Sequence, residues 1–365
     1  MSNFFSLNNI IKLMDRKINK DNLKVFCISA MEKVGMSIED AEITADVLVT
    51  TDLFGIYTHG TNNLRNYIKK IKAGGIDPKA IPQIIAEGEN WTLLDSGSAM
   101  GMVESYKAMA MAIAKAKVST FGFVGVKNGS HFGAAGYYAN MAASQDLIGI
   151  AMSNADPSMT VPGSRGAIIG NNPFAYAVPT GKDETIFLDI AMSSVSGLKV
   201  IQSKKNGKKI PNNWIVDRDG LPTTDASVFI DKGGWLQPMA EHKGYGLALL
   251  VEVITAVLTG AGVTKEAKSW LNELSSNCQT GHAFIAINID TIMPINLFKE
   301  RIDNLINEIH NSPKAKNSDR IYLPGEIEWK KYEHAIKNGM RLPIYVIESL
   351  QELAVDLGLK INYIF

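Results

Sequence analysis

The chain has 365 residues, of which 46% are hydrophobic and 20% are charged, and its 37 basic and 37 acidic side chains cancel. This composition is typical of a globular protein with room for two domains, and zero net charge without a basic cluster argues against a nucleic-acid partner. Two widely separated cysteines, Cys27 and Cys278, give neither a disulfide framework nor a thiolate zinc site, so a reducing compartment is expected.

The sequence predicts neither a membrane span nor a signal peptide. The longest apolar run, Gly246 to Gly260, contains Glu252 and is shorter than the roughly 20 residues that a span needs, so we interpret it as a buried helix. The first twenty residues lack the continuous apolar core of a signal peptide. A cytoplasmic protein is therefore predicted, and the excess of basic residues over Asp15 leaves a transit peptide as the alternative.

Apolar residues recur at helical spacing near the start of the chain. They do so from Asn22 to Gly35, and Ser37 with Asp40 resembles a capping box that opens a second helix running to about Phe54. A third helix from about Thr61 ends before the glycines at 74 and 75 and the proline at 78. Residues 1–75 are predicted to form the N-terminal part of a helical domain.

From residue 76 the pattern changes to helices that alternate with apolar runs of strand length, which is typical of the α/β class. Helices are predicted at Glu104–Lys117 and Ala134–Ser144, and strands of a central sheet at Phe121–Val126, Leu147–Met152, Phe174–Val178, Ile186–Ile190 and Ala283–Ile289. We assign residues 76–294 to this sheet-based domain. The pattern then returns to helices, Leu297–Ile309 and Ile344–Leu357, so residues 295–365 are predicted to pack back on the helical domain.

The glycine loops that usually cradle nucleotides are missing, since the chain contains neither GxGxxG nor GxxxxGK[ST]. The nearest candidate is Gly133-Ala-Ala-Gly136, which follows a predicted strand and opens a helix whose N-terminus could bind an anion. Close helix–sheet packing through small residues is the simpler interpretation of this segment.

Histidines are the candidates for proton transfer, because imidazole titrates near neutral pH. The chain has His59, His131, His242, His282, His310 and His334. His59 lies in a turn or helix start, and His131 lies at a strand-to-helix junction, where α/β proteins tend to bind ligands. None of the six belongs to a close-spaced pair such as HExxH, so no metal site is predicted and a metal-dependent hydrolase or lyase is disfavoured.

Seven short blocks follow one another from about residue 40 to residue 330. They are Asp52-Leu-Phe-Gly55-Ile-Tyr-Thr58-His59-Gly60, Asn128-Gly-Ser-His131-Phe-Gly133, Ser153-Asn-Ala-Asp156, Gly170-Asn-Asn-Pro173-Phe-Ala, Leu188-Asp189-Ile-Ala-Met-Ser193, His242-Lys243-Gly-Tyr-Gly-Leu247 and Leu323-Pro324-Gly325-Glu326. The first resembles D-x-x-G-x-x-[ST]-H-G, a signature of the malate/L-lactate dehydrogenase family. In this order the blocks are similar to that family, whose NAD(P)-dependent 2-oxoacid reductases are unrelated to Rossmann-fold dehydrogenases, and the missing glycine loop is thereby explained.

The resemblance implies a sheet-based cofactor domain of non-Rossmann topology, a helical domain built from both chain ends, and a homodimer with its active sites at the interface. It implies NAD or NADP as cofactor and hydride transfer to a small-molecule 2-oxoacid, with malate and oxaloacetate as the expected pair. The alternatives are another 2-oxoacid, such as pyruvate or a ureidoglycolate-like substrate, or a member that has lost catalysis and only binds the cofactor.

The resemblance also implies roles for individual residues. His59 would protonate the carbonyl oxygen, with Thr58 orienting it; in the alternative assignment His131, near Asp156, is the acid/base. If His59 is the acid, His131 contacts the substrate or the nicotinamide. The implied cofactor contacts are His131, Ala155, Asp189, Ile190, Ala191, Lys243, Gly244, Pro324, Gly325 and Glu326, and an ammonium at Lys243 suits a diphosphate.

The substrate side departs from the family pattern. Asn63 stands where the family usually has an arginine that pairs with a substrate carboxylate. Ser130 and Asn171, the latter where threonine is common, are further substrate candidates. The missing positive charge would have to come from another cation, and the candidates are Arg65, Arg165 and Lys199.

Overall fold

A computed structural model describes residues 17–182, 184–361 and 364 of the chain. Residues 1–16, which make up most of the segment without a signal-peptide pattern, lie outside the described part. The predicted helices and strands occur within a few residues of their expected bounds, and the structure adds elements that the pattern does not indicate.

The described chain begins with a layer of helices. They are α1 (Lys20–Glu32), α2 (Ile38–Leu53), a 3₁₀ turn (Thr61–Asn63) and α3 (Leu64–Lys72). The side chain of Asn19 caps α1 by accepting from the backbone N–H of Asp21 at 2.8 Å, and the Ser37 hydroxyl caps α2 by accepting from that of Asp40 at 3.2 Å. The Asp40 carboxylate forms an ion pair with Lys107, so the expected capping box is present only in its serine half.

A seven-stranded sheet lies at the centre of the molecule, in the order β1-β2-β3-β10-β4-β5-β6. Its strands are β1 (Gln83–Glu87), β2 (Trp91–Asp95), β3 (Phe121–Gly129), β4 (Leu147–Ser153), β5 (Phe174–Val178), β6 (Ile186–Ile190) and β10 (Thr280–Asn288). Only β2 and β3 are paired in parallel, whereas the other neighbours are antiparallel. A Rossmann sheet is mostly parallel, so the predicted non-Rossmann α/β class is confirmed.

Alternate residues of the sheet contribute to two different cores, as the period of a strand requires. Phe284 and Ala286 face α4 (Gly101–Ser119) and α5 (Ala135–Ala143), in a core that continues into the N-terminal helices. Ala283 and Ile285 lie on the opposite face, in a smaller core. That second core includes α6 (Gly197–Lys205), the three-stranded sheet of β7 (Ile215–Val216), β8 (Pro222–Thr223) and β9 (Trp235–Leu236), the short α7 (Val228–Asp231) and part of α8 (His242–Glu252).

The interpretation of the run from Gly246 to Gly260 as a buried helix is wrong. The run forms most of α8 and a π-helical turn (Val253–Val257), and Ala248, Val251 and Thr255 on one side are buried. The other side is exposed: Leu250 is 53% and Leu258 63% accessible. A run that is apolar on every side indicates that both faces are covered, whereas the described residues cover only the face toward the sheet.

The C-terminal helices pack in two different places. The last two helices of the described chain are α10 (Glu326–Asn338) and α11 (Ile344–Leu357). α11 lies against the 3₁₀ turn and α3, where the Ser349 hydroxyl donates to the carbonyl of Asn62 at 3.1 Å. By contrast, α9 (Ile295–His310) contacts the sheet-based part, since Lys299 pairs with Asp146 at 2.7 Å and Asp303 accepts from the N–H of Gly181. A second 3₁₀ turn (Thr264–Glu266) precedes β10.

Candidate active site

A cavity of about 740 Å³ lies where the 3₁₀ turn after α2 meets one end of the central sheet. This volume is within the range of about 300–1,000 Å³ typical of small-molecule sites. Residues far apart in sequence line it, as the sequence blocks predict. The predicted site residues on its wall are Thr58, His59, Asn63, His131, Ala155, Asp156, Asn171, Asp189, Ile190, Ala191 and Lys199.

The loop that carries His59 is hydrogen-bonded to Asp52, the last but one residue of α2. One carboxylate oxygen of Asp52 accepts from both the N–H (3.1 Å) and the hydroxyl (2.5 Å) of Thr61. The other oxygen lies against the Cα of Gly60, where a Cβ would collide with it. The aspartate and the final glycine of the first block are therefore in direct contact in the fold. Burial raises the pKa of Asp52 to about 7.

His59 lines the cavity, and one of its ring nitrogens has a hydrogen-bond partner. Its Nδ1 is 2.9 Å from the hydroxyl of Thr58, and the Asn63 amide donates to the Thr58 carbonyl at 2.7 Å. Burial lowers the pKa of His59 below its ordinary value. Asn63 thus supports the loop of His59 as well as lining the cavity.

His131 is held in a stack of aromatic rings. Its ring lies between His59, at a centroid distance of 5.7 Å, and the indole of Trp270, at 4.2 Å and 13° from parallel. The Tyr67 hydroxyl is 2.6 Å from its Nδ1. Burial holds the pKa of the Tyr67 phenol well above its ordinary value, so the phenol keeps its proton and can donate it to Nδ1.

The charge state of His131 follows from these neighbours. Burial, with the adjacent His59 and His282 rings, holds the pKa of His131 well below its ordinary value, so the imidazole is neutral at pH 7. When Tyr67 donates to Nδ1, the single ring proton lies on Nε2. Asp156 is on the same cavity wall, but its carboxyl contacts Ser269, and its pKa is raised by burial.

Two buried polar side chains, His282 and Glu104, hold the backbone next to His131. The Nε2 of His282 lies 3.0 Å from the carbonyl of Ser130 and 3.1 Å from a carboxylate oxygen of Glu104, and both side chains are fully buried. The N–H of Ser130 donates to the same carboxylate at 3.3 Å. Ser130 therefore lies behind the cavity wall, where its backbone holds His131, and its hydroxyl contacts Cys278 at 3.6 Å.

Asp189 sits at the N-terminus of α5, the helix start that the sequence marks as a possible anion site. Its carboxylate accepts from the N–H of Gly136 at 2.7 Å, and burial raises its pKa to about 6. The anion at this helix start is therefore a side chain of the protein itself. Asp189, Ile190 and Ala191 continue from β6 along the cavity.

Some predicted cofactor residues lie outside the cavity lining. Lys243 and Gly244 are in the first turn of α8, and Lys243 is exposed. Shortly before this turn, the N–H of Met239 donates to the carbonyl of Met192, which is next to the cavity residue Ser193. This chain segment connects the start of α8 to the cavity rim.

The segment from Pro324 to Glu326 lies beside the edge strand β6. The carbonyl of Pro324 accepts from the N–H of Phe187 at 3.2 Å. Gly325 has a φ of 86°, and a Cβ there would lie 2.5 Å from the Phe187 ring, so only glycine fits. Pro324 and Glu326 line a second cavity of about 200 Å³, where Glu326 pairs with Arg320 and lies 3.3 Å from His310.

The structure separates the three cation candidates for a substrate carboxylate. Arg65 pairs with Glu352 and, at 2.8 Å, with Asp356, and Arg165 is exposed; neither lines the cavity, whereas Lys199 does. Lys268 and Trp270 line it too, and sequence reasoning missed both. They lie in a polar loop without a motif, where the lone tryptophan is the one signal that could have been noted.

In residues 17–361, apart from 183, no group of three or more His, Cys, Asp or Glu side chains is placed to hold a metal ion. Over the same part of the chain, no helix is long and apolar enough to cross a membrane.

Known proteins resemble the chain over almost its whole length. A family model for malate/L-lactate dehydrogenase matches residues 18–351. A malate dehydrogenase of Pyrococcus abyssi is 39% identical over 94% of this chain and 96% of its own, and an L-sulfolactate dehydrogenase of Methanocaldococcus jannaschii is 38% identical over 94% and 98%. The solved structure of the sulfolactate dehydrogenase from that archaeon matches with a TM-score of 0.88 at 37% identity, covering 94% of this chain and 98% of that one.

Two more distant relatives, each 28% identical, carry a cofactor in their names. One is a ureidoglycolate dehydrogenase (NAD⁺) of Escherichia coli K12, which covers 89% of this chain and 92% of its own. The other is a (2R)-3-sulfolactate dehydrogenase (NADP⁺) of Chromohalobacter salexigens, with 94% and 99% covered. The relatives therefore differ in both substrate and nicotinamide cofactor.

Proposed function

The chain belongs to the malate/L-lactate dehydrogenase family, and on that premise we propose that it is an NAD(P)-dependent 2-hydroxyacid dehydrogenase that interconverts malate and oxaloacetate. The observation that carries the proposal is the pair of stacked imidazoles, His59 and His131, on the wall of one small-molecule cavity. The similarity to the malate dehydrogenase of Pyrococcus abyssi supports malate as the substrate.

His59 is the proton carrier in this proposal. Negative charge develops on the carbonyl oxygen during reduction, and a positioned acid there contributes roughly 10²–10⁴-fold to the rate. The pKa of His131 is depressed further than that of His59, so His59 retains more of the charged form that can give up a proton. Thr58 orients His59 through Nδ1, and neutral His131 offers its Nε2–H to the substrate.

Two lysines are the candidates for binding the anionic ends of the substrate. Lys199 and Lys268 both line the cavity, whereas Asn63 supplies only a neutral amide. A dicarboxylate needs charged or multiple donors at both ends, because a buried carboxylate without partners is costly. We also assign Ser130 and Asn171 to the substrate side of the cavity. Ser130 would act indirectly, because its backbone carries His131.

NAD(P) fits the residues on the sheet side of the cavity and supplies the hydride when bound. Ala155 and the 189–191 segment would lie along it, since all of them border the cavity and the side chains of Ala155 and Ala191 are small. Lys243, exposed in the first turn of α8 beside Gly244, would meet the diphosphate, and Pro324, Gly325 and Glu326 beside β6 would contact its far end. Carboxylates at Asp189 and Glu326 are already held by protein donors.

A homodimer is part of the proposal. The exposed apolar face of α8 and the following π turn, formed by Leu247, Leu250, Val253, Val257 and Leu258, is not covered by any of the residues that the structure describes. Exposed apolar patches of this kind mark interaction sites. The same helix begins with the proposed cofactor residue Lys243, so a second copy on this face would also approach the cofactor site. The free thiols of Cys27 and Cys278 support a cytoplasmic location.

A second candidate is sulfolactate as the substrate, because the relative from Methanocaldococcus jannaschii is almost as similar as the malate dehydrogenase. A sulfonate makes the same demand for cations as a carboxylate. The experiment measures kcat/KM for oxaloacetate, sulfopyruvate and pyruvate with NADH and with NADPH. We expect oxaloacetate to be best; a preference for either other acid would refute malate, and activity with none would leave two alternatives, a ureidoglycolate-like substrate or a member that only binds the cofactor.

A further inference from the structure

Lys70, on α3, has its side chain completely buried. Its ammonium donates to the backbone carbonyls of Glu273 at 2.8 Å and Ser276 at 2.7 Å. Removing an ammonium from water costs several kcal/mol unless hydrogen bonds replace the water. These two hydrogen bonds tie α3 to the chain segment that supplies the carbonyls, the cavity loop of residues 267–279.

The cavity loop carries Trp270, and the contact of Lys70 reaches that residue in two short steps. The N–H of Glu273 donates to the carbonyl of Ser269 at 3.1 Å, and the Glu273 carboxylate accepts from the N–H of Ser269 at 3.3 Å. Ser269 directly precedes Trp270. Lys70 is thus hydrogen-bonded to Glu273, and Glu273 to Ser269. These bonds constrain the backbone from which the indole of Trp270 projects.

Helix α3 touches His131 by a second route that ends at the same ring. Tyr67 lies one turn before Lys70; its hydroxyl is 2.6 Å from Nδ1 of His131, and its ring stacks on Trp270 at 5.1 Å. Trp270 in turn stacks on His131 at 4.2 Å. The imidazole therefore has one partner at Nδ1 and one against its face; the first is a residue of α3, and the second is on the loop that Lys70 of α3 binds.

We propose that Lys70 is a positioning residue that acts through Trp270: by tying the cavity loop to α3, it keeps the indole against His131 and so fixes the plane of that imidazole in the cavity. Its effect on turnover rests on the proposed dehydrogenase function, whereas its effect on the loop does not. No sequence block contains Lys70, Trp270 or the loop, so the assignment depends on the fold alone.

The test combines turnover with the accessibility of Trp270. Lys70→Met removes the ammonium and keeps the stem, Trp270→Leu removes the indole, and Lys69→Met, the exposed neighbour on α3, is the control. A misplaced catalytic group can cost up to about 10²-fold in rate, so we expect Lys70→Met to lower kcat by about 10- to 100-fold with the NAD(P)H Kd within about twofold. Lys69→Met should match the wild type.

A double-mutant cycle separates action through Trp270 from general damage. If Lys70 acts through the indole, adding Lys70→Met to Trp270→Leu lowers kcat by no more than about threefold further, because coupled sites are not additive. Independent losses that multiply would overturn the proposal, as would an unchanged kcat in Lys70→Met. Lys70→Gln, which keeps two N–H donors, should recover part of the loss.

The loop itself is read by acrylamide quenching of fluorescence, with the contribution of Trp270 obtained by subtracting the matching Trp270→Leu variant. We expect the quenching of Trp270 to rise in Lys70→Met and to stay at the wild-type value in Lys69→Met. Unchanged quenching in Lys70→Met would overturn the proposal, whatever the activity shows. A wild-type enzyme inactive on every 2-oxoacid would refute the proposed function and leave this readout to decide the role of Lys70.

Discussion

The two stacked imidazoles of the cavity differ in their hydrogen-bond partners, and this difference indicates a different role for each. Nδ1 of His59 faces the hydroxyl of Thr58, whereas Nδ1 of His131 faces the buried phenol of Tyr67, and the His131 ring also stacks on the indole of Trp270. Burial lowers the pKa of both rings, and the neighbouring His59 and His282 rings lower that of His131 further. The structure therefore supports a proton carried by His59 and a neutral hydrogen-bond donor at His131.

His59→Ala is expected to lower kcat for 2-oxoacid reduction by at least about 10²-fold and to leave NAD(P)H binding unchanged, because an acid acts on the transition state and not on the dinucleotide. Steady-state kinetics and a cofactor titration measure the two effects. His334→Ala, at an exposed position on α10, is the control. If His131→Ala abolishes turnover and His59→Ala does not, the two roles are reversed.

Lys199→Ala is expected to reduce kcat/KM for oxaloacetate about tenfold more than kcat/KM for pyruvate. A charge-assisted hydrogen bond contributes roughly 1.5–3 kcal/mol, and pyruvate lacks the second carboxylate. The same comparison on Lys268→Ala shows which lysine binds that end. Arg65→Ala is the control, because its guanidinium is engaged with Glu352 and Asp356. Equal losses for the two acids would show that neither lysine selects a dicarboxylate.

The cavity residues that could be predicted belong to a sequence block or, like Asn63 and Lys199, lie within six residues of one. Thr58, His59 and Asn63 lie within a stretch of six residues, so their proximity follows from local structure. Lys268 and Trp270 belong to the cavity loop, which Lys70 of α3, about 200 positions away in sequence, binds through two backbone carbonyls. Such a contact leaves no periodicity or spacing in the sequence.

Among the secondary-structure elements, helices and strands with a clear apolar period were predicted well. β1 and β2 were not predicted; every residue of β1 is exposed, so no core imposes alternation on it. The helix α10 was missed as well, and none of its described residues is buried. Conversely, the apolar run in α8 was interpreted as buried because its sequence does not show that the described residues leave one of its faces exposed.

The junction between α2 and the 3₁₀ turn should be sensitive to pH through Asp52. Its pKa in the folded protein is raised from 3.8 to about 7, so between these values the folded protein holds a proton that the unfolded chain has released. The free energy of unfolding therefore falls as pH rises from about 4 to 7.

Asp52→Asn does not titrate at this position and should lose that part of the pH dependence. Urea unfolding at several pH values from 5 to 7.5 measures it: the stability of the wild type relative to Asp52→Asn is expected to fall as pH rises. A difference between the two proteins that is constant, or that grows with pH, would mean that the carboxyl is not held protonated by burial.

At the scale of the whole molecule, the apolar face of α8 predicts a homodimer with an interface above the roughly 1,200 Å² of specific, stable contacts. Leu250→Glu should convert the dimer to a monomer in sedimentation velocity and reduce activity, because α8 also carries Lys243. Val355→Glu, at a highly exposed apolar position on α11, is the matched control and should remain dimeric. A wild-type monomer with full activity at nanomolar concentration would contradict the dimer.

The central claim is that the cavity supports hydride transfer to the carbonyl carbon of a 2-oxoacid. It is tested most directly by reducing oxaloacetate with NADH and NADPH deuterated at C4 of the nicotinamide, in separate samples for each face, and analysing the product by NMR. One of the two faces is expected to give malate with a single deuterium at C2. Malate without deuterium from either face, or no malate while the cofactor still binds, would contradict the claim.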